Sequence, residues 1–116
     1  MKRARLYVGS RATGISVSIT ETARERMRGL LDHKHLPSNE ALLLERCGSV
    51  HTFGMGFAID VVLLDRHRRV IAIHREVPRR RIVLSLRAVH TLEMSAGTAD
   101  ELGLSVGDSI VFEVLA

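Results

Sequence analysis

Cys47-Gly48-Ser49-Val50-His51-Thr52-Phe53-Gly54-Met55-Gly56-Phe57-Ala58-Ile59-Asp60-Val61-Val62-Leu63-Leu64-Asp65 is the stretch from which the fold can be read. Its second part, residues 59–64, is almost entirely apolar and is bounded by Asp60 and Asp65, the pattern of a strand buried on both faces. Its first part gathers the only cysteine, a histidine, two of the three phenylalanines and a methionine among three glycines. Glycines at this density let the backbone bend or approach a ligand or another strand closely, so a tight bend or bulge is expected ahead of the buried strand.

Outward from this centre the pattern stays β-like. Residues 5–8 and 15–19 alternate as strands, and the Gly9 to Gly14 segment supplies turn chemistry, so a hairpin is expected. Thr20 or Thr22 can serve as a helix cap, and Thr22 with Glu25 three residues on fits a capping box. It opens a helix whose apolar positions Ala23, Met27, Leu30 and Leu31 share one face, leaving Arg24, Arg26 and Arg28 on the wet side. Residues 41–45 form a short strand. Past the central strand, residues 65–69 make a polar turn into a strand at 70–74. Strands are also expected at 82–86, at 89–94, where Val89, Thr91 and Glu93 alternate against His90, Leu92 and Met94, and at 110–115. Between the last two, residues 97–103 fit one or two helical turns with Thr98 as cap and Gly103 as stop. The expected architecture is mainly β (α+β): a compact distorted barrel or sandwich, one helix after the second strand and a helical turn before the last.

Composition narrows the class. A chain of 116 residues has the usual size of one domain, expected here over 1–116, and 46% apolar with 26% charged residues is globular. With no tryptophan and few other aromatics, the core is aliphatic and stacking platforms for single-stranded nucleic acid are scarce. The net charge of +4 comes from 17 Lys and Arg against 13 Asp and Glu, and six of the arginines cluster at 66–69 and 79–81. A solvated surface explains them better than a phosphate-binding face, so nucleic acid ranks last among partners. A lone cysteine excludes an internal disulfide and fits a reducing compartment. The basic start lacks the apolar stretch of a signal peptide, and no run reaches the length of a membrane span. A cytoplasmic protein is expected.

Three readings of the central stretch compete. A binding or accessory module would present a pocket lined by His51, Phe53, Met55 and Asp60 to a small ligand or protein. A soft-metal site would use Cys47, His51 and Met55, whose thiolate, imidazole and thioether suit copper and whose spacing of four and four puts them on one side of an extended chain. A thiol-dependent or hydrolytic enzyme would pair Cys47 with His51 and orient the imidazole through Asp60 or Asp65. Against these stands ordinary structure. Cysteine and methionine fill cores, and aspartates beside a strand bond backbone amides. His33 and His35 lack a third ligand nearby and are expected in solvent.

Four blocks together resemble a known family: residues 25–31, with Arg28-Gly29-Leu30-Leu31 at their end; His51-Thr52-Phe53-Gly54-Met55 running on to Asp65; Leu92-Glu93-Met94-Ser95-Ala96-Gly97; and Leu102-Gly103-Leu104-Ser105-Val106-Gly107-Asp108. In this order they are similar to the domain-of-unknown-function 192 family of small bacterial and archaeal proteins, over about residues 15–114. The resemblance implies the β-rich fold above and no particular reaction. It places the family's central aromatic, methionine and aspartate at Phe53, Met55 and Asp60. Many family members carry a proline where this chain has Ala58, and many have leader peptides.

Overall fold

The computed structural model describes residues 1–31, 33–52 and 55–116; Asp32, Phe53 and Gly54 lie outside it. The central apolar run forms β5 (Ile59–Leu64), and all six of its residues are buried. Its neighbours are β6 (Val70–Val77) and β8 (His90–Ser95), both antiparallel to it. The sheet continues through β3 (Glu40–Leu44), β2 (Arg11–Ile19), β1 (Lys2–Val8) and β9 (Ile110–Val114), giving the order β6-β5-β8-β3-β2-β1-β9. A separate two-stranded ladder pairs β4 (Ser49–His51) with β7 (Ile82–Leu84). The mainly β expectation holds.

The sheet curls until its edges touch without closing. Arg69 and Ser109, just ahead of β6 and β9, form one isolated bridge. Val70 N–H donates to the Asp108 carbonyl at 2.9 Å, and Ile110 N–H to that of Arg68 at 2.9 Å. No continuous ladder joins β6 to β9 among the described residues, so the curl stops short of a barrel.

Strand alternation divides the buried residues between two faces. Val62 and Leu64 of β5 pack with Leu43, Leu92, Met94 and Val17. Ile59, Val61 and Leu63 pack on the other face with Leu42, Leu44, Val50, Met55, Val77 and Val83. A short helix, α2 (Thr98–Glu101), lies on the first side through Ala99. The helix α1 (Ala23–Arg28) lies on the second, because β2 and β3 run parallel and a parallel pair needs a crossover.

Several expectations shift in detail. The first hairpin turns at Gly9-Ser10, since Val8 already pairs with Arg11 and residues 11–14 belong to β2. The strand expected at 82–86 ends at Leu84, and the last strand at Val114. Thr98 is not the cap of α2. Gly97, in the left-handed region at φ 92°, holds that place, and the Thr98 hydroxyl bonds that of Ser95 at 2.6 Å. The turn after β5 is as read: Asp65 Oδ1 accepts from His67 N–H at 2.8 Å and Arg69 N–H at 3.0 Å. Those amides, Arg69's foremost, hold the Asp65 carboxyl below the ordinary carboxylate range.

The capping box at Thr22 and Glu25 is formed in full. The helix it opens, however, buries none of its own six residues. Met27 is 78% exposed, and Arg26 and Arg28, read as the wet side, border the same hollow as Ala23 and Met27. The reason is length. Six residues give little more than one and a half turns, and the only apolar anchor fully sunk into the core is Leu30, just past the helix end. No helix among the described residues is long and apolar enough to cross a membrane.

Candidate functional site

Between α1 and the sheet lies a cleft of about 380 Å³. Ala23, Met27, Leu30 and Leu31 form the helix wall, and Leu44, Val50 and Met55 the opposite one. Cys47, Ser49 and His51 line it from the β3–β4 connection and β4, and Arg26, Arg28 and Arg46 also border it.

Three of the residues singled out in the sequence line this cleft: Cys47, His51 and Met55. Met55 is buried, Cys47 half-buried and His51 exposed. The Cys47 thiol donates to the Ser49 carbonyl at 3.0 Å. No three His, Cys, Asp or Glu side chains cluster as metal ligands among the described residues, so a metal here would depend on the Met55 thioether. His33 and His35 are exposed. Phe53 falls outside the described residues.

Asp60 is not brought to this cleft. Its side chain leaves β5 on the face of Val62 and Leu64, where Oδ1 accepts from Glu76 N–H at 2.8 Å and Oδ2 from Ala99 N–H at 2.9 Å. The second bond is the N-terminal cap that α2 lacks from its own residues. The first holds a bulge in β6, where Glu76 has φ 52°. Asp65 is likewise engaged in its own turn, so neither aspartate is placed to orient His51.

The local path of the chain explains why Cys47 and His51 flank the opening. Thr52, fully buried, donates its hydroxyl to the Pro78 carbonyl at 2.6 Å and accepts Arg81 N–H at 2.9 Å, which pins β4 to β7. At the other end Gly48 passes against residues 85–88. A Cβ there would stand 2.5 Å from the Ala88 carbonyl oxygen, so only glycine fits. Thr91 locks the same corner by donating to the Cys47 carbonyl at 2.7 Å.

The residue that sequence reading missed is Glu93. It projects from the middle of β8 between Leu42 of β3 and Val61 of β5, is 4% exposed and lines the cleft. Its Oε2 has no hydrogen-bond partner among the described residues. Gly29, at the end of α1, passes close above; a Cβ there would lie 4.0 Å from Oε1. Burial without a donor pushes the Glu93 carboxyl up to about 7. The signal was available: a carboxylate alternating in register with Thr91 inside an apolar strand, on the face opposite Leu92 and Met94.

With this geometry in place, comparison with known proteins supplies the lineage. Residues 5–112 match the model of the DUF192 family, described as "Uncharacterized ACR". The chain belongs to the DUF192 family. A UPF0127 protein of Thermococcus sibiricus is 34% identical over 106 residues, a match covering 84% of this chain. The same match spans 66% of that relative's length, just under two thirds. Two solved structures share the fold. A protein of unknown function from Novosphingobium aromaticivorans superposes with a TM-score of 0.81 at 18% identity, covering 94% of this chain and 83% of its own. A candidate transcription regulator of Sinorhizobium meliloti superposes with a TM-score of 0.83 at 22% identity, covering 96% and 92%. At such identities the likeness concerns the DUF192 fold alone.

Proposed function

We propose that this DUF192 protein is a non-catalytic binding module whose ligand enters the cleft between α1 and the sheet. One observation carries the reading: a buried carboxyl with an unpartnered oxygen stands in the wall of a mostly apolar hollow. An orphaned buried polar atom costs about 1–3 kcal/mol, a cost that an incoming donor group would remove. The hollow's size, about 380 Å³, is within the range of small-molecule sites. His51 and Met55 are the expected contacts. A reducing, cytoplasmic setting would keep Cys47 a thiol.

The dye 1-anilinonaphthalene-8-sulfonate tests whether the cleft takes a ligand. Saturable binding of one dye per folded chain, weakened at least tenfold in Leu31→Trp, is the expected result. Non-saturating binding, or binding indifferent to that cleft-filling indole, overturns the proposal.

A soft-metal site is the second reading, favoured by the meeting of Cys47, His51 and Met55 on one cleft. Titration with cuprous ion under reducing conditions would give one equivalent bound to the native protein and none to Cys47→Ser. Equal stoichiometry in the two would remove this reading. A thiol enzyme has less support, since Asp60 and Asp65, the expected orienting groups, are committed elsewhere.

A further inference from the structure

Resting on the cleft as the binding site, we propose that its ligand is a small apolar zwitterion, of the kind represented by a short aliphatic peptide: its ammonium group seats on Glu93 and its acid group meets the arginines at the mouth. Three features of the cleft select the three parts of such a molecule.

The first is the carboxyl. Glu93 Oε2 is buried and unpartnered, and its neighbours across the sheet, Leu42 and Val61, offer only hydrocarbon. No donor among the described residues that line the cleft bonds this oxygen, so a donor group on a ligand would satisfy it. Among donors an ammonium gains most, because a charge-assisted hydrogen bond in a poorly hydrated site is about twice as strong as a neutral one. The second is the body of the cleft. Leu30, Leu44, Val50 and Met55 line the same cleft as the carboxyl and reward aliphatic surface removed from water. The third is the mouth, where Arg26 and Arg46 carry positive charge that repels a bare amine and attracts an acid. A simple alkylamine satisfies the first two features only, and a fatty acid the last two only.

A proton completes the account. The other charged or titratable groups on the cleft are Arg26 and Arg28 of α1, Arg46 and Cys47 after β3, and His51 of β4. Burial holds the Glu93 carboxyl up to about 7, so near neutrality much of the ligand-free protein keeps the proton on Glu93. Seating an ammonium converts the carboxyl to carboxylate, and the displaced proton passes to the buffer.

Calorimetry on the full chain tests this with leucyl-leucine, N-acetyl-leucyl-leucine and leucyl-leucinamide at pH 6.5, in two buffers of different ionisation enthalpy. Leucyl-leucine is expected to bind one to one with net proton release. Acetylating its amine, or Glu93→Gln, should each weaken binding at least about tenfold, and both together no more than either alone. Amidating its acid should cost roughly threefold, a difference that vanishes when Arg26→Ala and Arg46→Ala are combined. Equal affinity for the acetylated peptide, which needs no variant, overturns the role of Glu93. No binding of any of the three peptides overturns the ligand class. In both cases saturable dye binding would leave the cleft standing as a site, whereas its absence removes the binding reading itself.

Discussion

Two acids lie buried on adjacent strands, one register step apart. Asp60 of β5 pairs with Met94, and Val61, the next residue, pairs with Glu93 of β8. The pleat sends the two carboxyls to opposite faces. On the Asp60 side the fold supplies what the acid needs: both oxygens accept backbone amides, one from the β6 bulge and one from the start of α2. On the Glu93 side the covering helix stands off, and Oε2 is left without a donor. The difference separates a carboxylate that holds the fold together from one the fold holds at a cost. Unspent interaction of the second kind is where a ligand can gain affinity.

The contrast can be broken most forcefully from the Asp60 side. Asp60→Ala leaves the amides of Glu76 and Ala99 without acceptors, and should destabilise by about 4 kcal/mol, read as a fall in urea midpoint at unchanged slope. A loss under 1 kcal/mol would mean that Asp60 is not what joins β6 and α2 to β5.

The next effect is a dependence on pH. The folded value of Glu93, about 7, lies above its ordinary 4.5, so the folded chain holds the proton more tightly than the unfolded one. Its contribution is whole below about pH 4.5 and is lost as pH rises through 7, on the order of 3 kcal/mol in all. His90 slopes the other way. Burial lowers its value, and its Nδ1 already accepts Arg46 N–H at 3.1 Å, so its contribution is present above the ordinary 6.5 and is lost as pH falls. Urea unfolding of native protein and Glu93→Gln across pH 5 to 9 separates the two. The variant should lose the decline above pH 5, become more stable than the native chain by about 2 kcal/mol at pH 8.5, and nearly match it at pH 5. Parallel curves would show that Glu93 carries no such cost.

The smallest effect sharpens the picture of α1. Met27 is on the expected apolar face yet 78% exposed, so Met27→Ala should change stability by less than about 0.5 kcal/mol. A cost of 2 kcal/mol or more would mean that the helix packs flat and the cleft is closed in solution.

Much of this frame was legible because it rests on local chemistry. The run from Ile59 to Leu64 reads as a buried strand, the capping box at Thr22 and Glu25 satisfies amides within its own turn, and Asp65 does the same in the hairpin. Cys47, His51 and Met55 line one cleft, but not for the reason of a continuous extended chain, since β4 supplies only three residues of regular strand. What escaped depends on partners distant in sequence. Nothing near Asp60 reveals that its acceptors serve residues 76 and 99, and helical periodicity at Ala23 and Met27 does not show that the helix is too short to press that face onto the sheet. Gly48 resembled the other glycines of the stretch until Ala88 was seen against it. Glu93 was read only as one half of an alternation, because whether a strand carboxylate faces solvent, a donor or a void is set by the element on top of it.

The carboxyl ¹³C resonance of Glu93, assigned through Glu93→Gln and followed from pH 3 to 9, tests the central claim directly. An unpaired acid in the cleft titrates with a midpoint near 7 in the free protein and moves downward when leucyl-leucine is added. A midpoint near 4.5, unmoved by the peptide, would show a hydrated or already paired carboxyl and contradict the account.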